Sequence, residues 1–346
     1  MNIEEPARTL VLEFSRILKS RPEVSGFELL LEVYEEINSE AIFDEKGKWN
    51  QLFNKQLQSR SVLQIIAFFD DCAAMKIIEN QALTTALLFE HGYDVEAEVE
   101  RLVRDRTACR KPIVRRWNQE MFYCGTKTAD PRAGKITDAD RSELVTWNMD
   151  TAKLRHPKVQ AERFHLREIV GARLFCSNQI SVLCEPVTYF ELEAKAHFPS
   201  PASSASKLLS ARVQSHRFAD ICSKPILANA VRNELSILTP VSSTVATEVM
   251  ARDPLFFLCP EVVAAVVEKL APLFEATQIK ENQNCLSSRW GETVFSPKVH
   301  LIDDPQLDAG LRTRHFDARG MPSSSITLIC EGRLDALYAS LEESER

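Results

Sequence analysis

The residue types that most often carry catalysis are scattered in this chain. Its seven histidines, His91, His156, His165, His197, His216, His300 and His315, never recur at i+3, i+4 or i+5. A helix brings two histidines to one metal only at such spacings, so a metalloprotease helix is not expected here. The nine cysteines, Cys72, Cys109, Cys124, Cys176, Cys184, Cys222, Cys259, Cys285 and Cys330, include no CxxC pair. Free buried thiols are the expectation, with disulfides or metal as the alternative. The chain has no GxSxG, no Gly-rich phosphate loop and no Walker lysine. Ser323-Ser324-Ser325 has no evident base beside it and reads as a polar turn. Asp303-Asp304 could form a carboxylate pair, but Pro305 follows, and aspartate before proline commonly starts a turn.

One charged cluster stands out. From Arg101 to Arg116, the cations Arg101, Arg104, Arg106, Arg110, Lys111, Arg115 and Arg116 face Asp105 alone, and Trp117 and Tyr123 follow. Basic residues with nearby aromatics fit a nucleic-acid contact. They fit equally a strap whose guanidinium groups pair with this protein's own carboxylates. The net charge of −7 favours the strap.

The stretch with the most specific grammar runs from Gly291 to Ala339. Val299 to Ile302 is a short apolar run that Asp303-Asp304-Pro305 ends. A polar connection leads to His315-Phe316-Asp317-Ala318-Arg319-Gly320-Met321-Pro322. Ser325 to Cys330 has strand period, Glu331-Gly332 fits a two-residue turn, and Arg333 to Tyr338 returns as the partner strand. In the turn, Phe316 is expected to anchor by burial, Gly320 to supply a backbone conformation that side chains disfavour, and Asp317 to accept backbone N–H groups.

Other elements must position these residues. Residues 6–20 read as a helix with Leu10, Phe14, Ile17 and Leu18 on one stripe. Ser25 and Glu28 suggest a capping box opening a second helix lined by Phe27, Leu30, Leu31, Tyr34 and Ile37. Phe43 to Lys48 reads as a turn, and 51–69, 82–90 and 94–106 as further helices. Thr137 opens a helix to about Lys153. Ile169 to Cys184 is a strand candidate, 186–206 alternates into a serine–proline loop, and Ile226 to Leu238 is helical. Leu255 to Cys259 reads as a buried strand. Pro260 then opens a helix whose face carries Val263, Val266, Val267, Leu270 and Phe274, with Pro272 kinking it. No repeat of constant period is apparent.

Length and composition set the frame. The 346 residues suffice for about two domains, and 45% hydrophobic with 26% charged residues fits a soluble protein. No apolar run approaches the ~20 residues of a membrane span. The acidic N-terminus is unlike a signal peptide, which makes the cytoplasm the default. Glycine occurs only ten times, and that scarcity suggests a helical chain.

Ile302-Asp303-Asp304-Pro305, Gly310, Phe316-Asp317, Gly320, Pro322, Leu328-Ile329, Gly332-Arg333-Leu334 and Tyr338 together resemble the C-terminal β-rich domain of the TldD/PmbA family. The 255–274 strand, Pro-Glu and helix order resembles that family's preceding unit. The family usually has an acid where this chain has Arg319, so Arg319→Glu is expected to leave folding intact. The TldD side carries HExxxH on the corresponding helix. Here that helix has no histidine, and Glu268 is at most the vestige of the motif glutamate. The resemblance is therefore to the PmbA (TldE) side, divergent and shortened at the C-terminus.

The fold class expected is α+β: a helix-rich N-terminal region at 1–123, a middle α/β region at 124–250 and an antiparallel β-rich region at 251–346. The resemblance implies a metal-free subunit acting with a zinc-bearing TldD-like partner in the proteolysis or maturation of peptides. It implies no cofactor in this chain, no catalytic residue and no metal ligand. It implies a peptide- or partner-binding role for Phe316, Asp317, Arg319, Gly320 and Pro322. The partner would be the TldD-like subunit or another copy of the chain, with a peptide substrate and neither membrane nor nucleic acid. Two alternatives stand beside this: a stand-alone peptide-binding or peptide-tailoring accessory protein, and a helical regulator contacting nucleic acid through 101–116.

Overall fold

The computed structural model describes residues 4–43, 49–79, 81–89, 92–105, 129–199, 206–238, 260–276, 285–286, 289–308 and 310–339. The serine–proline loop at 200–205, the strand read at Leu255 to Cys259, the turn at 44–48 and most of the basic cluster lie outside them. The described residues form two compact units. One holds 4–105, 129–238 and Leu307–Pro322; the other holds 260–306 and 323–339.

The first unit is built on a six-stranded antiparallel sheet in the order β3-β2-β1-β4-β5-β6. The strands are β1 (Gly26–Phe43), β2 (Trp49–Phe68), β3 (Ala73–Ile78), β4 (Gln160–Ser177), β5 (Leu183–Pro199) and β6 (Ser206–Ser215). The helices are α1 (Glu4–Ser20), α2 (Gln81–Phe89), α3 (Val95–Arg104), α4 (Asp138–Arg155), α5 (Phe218–Cys222) and α6 (Ile226–Leu238). Strands of 18 residues, as in β1 and β4, extend about 60 Å.

Two hydrophobic clusters share one face of this sheet. β1 gives Phe27, Leu29, Leu31 and Val33 to the first and Ala41 to the second, all odd-numbered. β4 gives Ala172, Leu174 and Cys176 to the first and Phe164 and Leu166 to the second, all even-numbered, with Ala161 joining the second beyond a bulge. Alternation along a strand therefore puts both clusters on the same side. The first packs under α1, α2 and α3, the second under α4, α5 and α6. The opposite face carries Glu28, Glu32, Glu36 and Glu40 of β1, while Glu168 of β4 is buried on the helix side against Arg141 of α4.

The chain repeats itself. Helix, three-stranded meander and two helices occur twice, and each of α1, β1 and β2 begins 134 residues before its counterpart: Glu4 and Asp138, Gly26 and Gln160, Trp49 and Leu183. β1 and β4 lie antiparallel at the centre, so the halves are related by a local twofold between them. The two copies share little beyond pattern, Leu10-Val11 against Leu144-Val145 being an exception. That divergence is why no period was visible in the sequence.

The α+β class expected from the sequence is correct, with antiparallel sheets in both units. The helix-rich reading of 1–123 is corrected: 26–43 and 49–68 are strands. Ser25 does not cap a helix; its amide donates to the Phe68 carbonyl at 2.8 Å. Burial explains the misreading. Leu29 and Leu31 face the helices while Leu30 is covered on the other side, and a strand buried on both faces loses its period of two. The scarcity of glycine reflects strands so long that few hairpins are needed. The readings at 6–20, 137–153 and 226–238 are helices as expected, and Thr137 and Asp140 form a reciprocal capping box.

In the second unit, β7 (Leu301–Asp303), β8 (Ile326–Cys330) and β9 (Arg333–Leu334) form an antiparallel sheet. Glu331 and Gly332 take φ of +48° and +78°, the two left-handed residues of a type I′ turn. A Cβ on Gly332 would lie 2.3 Å from the Phe295 carbonyl oxygen. Helix α7 (Pro260–Leu270) is followed by a 3-10 turn at Ala271–Phe274. Pro272 thus ends the α-helix rather than kinking it. Phe274 is buried with Leu286, Leu328, Ile329 and Leu334, whereas Val263 and Val266 are exposed.

Candidate functional site

Four carboxylates, Glu28, Glu32, Glu36 and Glu40, recur every fourth residue along β1. In a helix that spacing would set like charges against each other. On a strand it aims all four at the face away from the helices, and each meets a guanidinium. Arg163 Nη1 lies 3.1 Å from Glu40, Arg167 Nη2 2.7 Å from Glu36 and Arg173 Nε 2.8 Å from Glu32. Arg319 clasps Glu28 with both Nε and Nη2. Arg167 holds the Glu36 carboxyl below its ordinary range, despite some burial. The repulsion these glutamates would feel in a helix is a signal for strand that the reading of a helix over this segment missed.

Beside this row, three donors converge on one oxygen of Glu191: the Tyr189 hydroxyl at 2.5 Å, Arg212 Nη2 at 2.5 Å and Gln214 Nε2 at 2.7 Å. Burial pushes that carboxyl up, but the three hydrogen bonds hold it below the usual range. Tyr189 is pushed up to about 12 by burial and by Glu191. Tyr34 is also pushed up to about 12, by burial and then by the charge of Glu32. Its ring lies across Gly171, where a Cβ would come within 2.4 Å of it. Both phenols are therefore hydrogen-bonding groups and not bases at neutral pH.

One end of this face is closed by Leu307–Pro322. Phe316, 1% exposed, packs with Leu30 and Phe175, its ring centroid 6.3 Å from that of Phe175. Arg173 stacks over the Phe316 ring at 5.2 Å and donates to its carbonyl at 3.0 Å. Arg173 Nη1 also pairs with the fully buried Glu185 at 3.1 Å. Glu185 accepts the His315 amide at 2.6 Å. Burial pushes the Glu185 carboxyl up, and the His315 amide and Arg173 oppose it. Asp308 pairs with Arg217 at 2.5 Å.

The turn itself is as its sequence suggests. Asp317 Oδ1 accepts the amides of Arg319 and Met321, both at 2.8 Å. Gly320 has φ of +66°, and a Cβ there would stand 2.4 Å from the Phe175 ring. Phe316 and Pro322 bridge across the turn. The five turn residues thus come together as one strap on the large sheet. The sequence placed them with the C-terminal strands; the structure places them in the first unit. Glu268 is exposed on α7 of the second unit, where its helix, PEVVAAVVEKL, has no histidine.

A cleft lies at the other end of the face. Asn38, Glu40, Gln56, Arg163 and His165 line its volume of about 230 Å³. His165 Nε2 stands 3.1 Å from Asn38 Oδ1. Sequence reasoning named His165 only among the scattered histidines and the other four not at all.

Of the basic cluster, Arg101 and Arg104 are described: Arg101 pairs with Glu98 at 2.9 Å, and Arg104 is exposed at the end of α3. Among the described residues, no three histidine, cysteine, aspartate or glutamate side chains gather as a metal site, and no helix is long and apolar enough to cross a membrane.

Known proteins match this architecture. Residues 256–346 match the profile of the PmbA/TldA metallopeptidase C-terminal domain. No curated protein sequence matches. Solved structures share the fold at low identity. One is a protein of Thermotoga maritima described as a candidate modulator of a DNA gyrase, at 14% identity and TM-score 0.70, covering 96% of this chain and 72% of that one. A Bacteroides thetaiotaomicron protein of the same description has 12% identity and TM-score 0.66, covering 100% and 74%. TldE from Thermococcus kodakarensis has 11% identity and TM-score 0.66, covering 96% and 70%. The fold is thus that of these structures, and residues 256–346 match the PmbA/TldA metallopeptidase C-terminal domain. Both findings agree with the resemblance to the TldD/PmbA family read from the sequence.

Proposed function

We propose that this chain is a metal-free PmbA/TldE-like subunit that works with a zinc-bearing TldD-like partner in the proteolysis or maturation of peptides in the cytoplasm. The observation that carries this reading is α7. It lies within the residues that match the metallopeptidase C-terminal domain, yet it offers no histidine, and its one motif-like carboxylate, Glu268, stands exposed. A helix without imidazoles cannot supply the zincin ligand pair. The zinc would therefore reside in the partner. The fold shared with TldE of Thermococcus kodakarensis supports the subunit assignment.

The strap takes a supporting part in this reading. Phe316, Asp317 and Gly320 spend their interactions inward, on the sheet and on the turn. A peptide or partner would meet its outer edge, at Ala318 and around Arg319 and Pro322.

The test is co-expression with a TldD-like protein bearing HExxxH, then size-exclusion chromatography and elemental analysis. Co-elution of the two chains, with zinc in proportion to the partner, is the expected result. Stoichiometric, tightly held zinc on this chain purified alone would overturn the assignment, as would failure to associate with any such partner.

A further inference from the structure

Between its two anchors the strap carries a closed loop. At one anchor Asp308 pairs with Arg217; at the other, Glu185 holds the His315 amide and Phe316 is buried. In between, the Leu307 carbonyl accepts the Gly310 amide at 2.9 Å and the Thr313 hydroxyl at 2.6 Å. The Gly310 carbonyl accepts the Thr313 amide at 3.2 Å. A loop fixed in this way loses little freedom when something binds it.

Its exposed side chains include two leucines and two arginines. Leu307 is 57% exposed and Leu311 44%, and Arg312 and Arg314 are exposed two positions apart. A single exposed leucine is ordinary; two in one loop, beside two cations, form a patch. The arginines set this loop apart from the rest of the strap. Arg173, Arg217 and Arg319, which hold the strap in place, each pair with a carboxylate. Among the described residues, neither Arg312 nor Arg314 has an ion-pair partner. Acids are not scarce, since the chain has 49 acidic against 42 basic residues. The two guanidinium groups are thus available to carboxylates from outside, which they can meet with paired hydrogen bonds. Arginine among apolar side chains is the composition of a protein–protein contact. A nucleic-acid footprint takes a broader basic field, and the net charge of −7 opposes phosphates.

We propose that the 307–314 loop docks an acidic segment of the TldD-like partner. Two aspartate or glutamate side chains of that segment take Arg312 and Arg314, and an apolar residue beside them covers Leu307 and Leu311. This inference rests on the subunit assignment above and names the chemistry by which the partner is recognised.

The test titrates the TldD-like partner against the labelled full-length chain, by fluorescence anisotropy, in ~50 mM and in ~500 mM salt. Arg312→Glu with Arg314→Glu should weaken binding at least about tenfold in low salt, and most of the difference should disappear in high salt. Arg155 and Arg232 are exposed on α4 and α6, so Arg155→Glu with Arg232→Glu should leave the affinity within about twofold. If the first double variant melts early, Arg312→Gln with Arg314→Gln is used, and a loss of at least about threefold is expected. Equal binding by the parent and by the loop variants would overturn the proposal and leave the subunit assignment standing. Equal losses from the two charge reversals would do the same, since they would report a general field and not this loop. A partner that does not bind the parent would overturn both. A DNA or RNA oligonucleotide bound by the parent and lost in the loop variant, with partner affinity unchanged, would overturn the proposal in favour of a nucleic-acid contact.

Discussion

Arg319 shows how one residue can look like a departure and be a fit. The family's usual acid at this point suggested that Arg319→Glu would be harmless. In the structure the side chain is 14% exposed and holds Glu28, itself 5% exposed. The substitution would set two carboxylates together in a site with little water. We expect it to cost about 3–5 kcal/mol, the scale of a broken buried pair, read as a fall in urea midpoint. Adding Glu28→Arg should recover much of that loss. Phe316→Ala should cost a similar amount, about 3–5 kcal/mol, since the ring is fully enclosed; thermal melting tests it, and the loss belongs to the first unit. Glu36 gives a pH signature. Arg167 lowers its carboxyl from the ordinary value of 4.5, so the folded state favours the ion. Its contribution is complete above that value and disappears as pH falls through the lowered one. Glu36→Gln should therefore flatten the acid side of a Tm-against-pH profile, while leaving the region above pH 6 with a constant offset.

At the scale of elements, what the sequence revealed depends on how many faces an element buries. α1, α4 and α6 each bury one stripe, and their period was plain. The turn at 315–322 was legible because its glycine, aspartate and aromatic each answer a local geometric demand. β1 and β2 were not. Phe27, Leu29, Leu31 and Val33 serve one face, but Leu30 and Ile66 are buried as well, and the mixed pattern imitates a helix. The candidate site was illegible for a related reason. Glu40 and His165 are 125 residues apart and become neighbours only through strand pairing. Only the fourfold spacing of glutamates hinted at it.

At the scale of the whole first unit, neither half owns a complete core. The first cluster uses Ala172, Leu174 and Cys176 from β4, and the second uses Ala41 from β1. The central pairing of β1 with β4 joins the halves along fifteen residue pairs. A fragment ending at residue 135 would keep α1, α2 and α3 but expose the whole inner edge of β1. We expect it to aggregate or to give a collapsed amide spectrum by NMR, and to be rescued when 136–346 is co-expressed. A soluble, cooperatively melting fragment would show that the halves are independent.

That interlocking sets a schedule for synthesis. β1 and β2 leave the ribosome as a long hairpin whose inner edge has no mate until Ser177 has been made, more than a hundred residues later. At about 5–20 residues per second, the nascent chain carries that bare edge for roughly 5–20 s. The strap comes later still, so its seat at Leu30 and Phe175 stays uncovered until Pro322 has been made. The ladder of glutamates along β1 then has a second use. Before their arginines arrive, Glu28, Glu32, Glu36 and Glu40 put a row of negative charge on the waiting strand, and like charges facing one another oppose its pairing with a copy of itself on a neighbouring polysome.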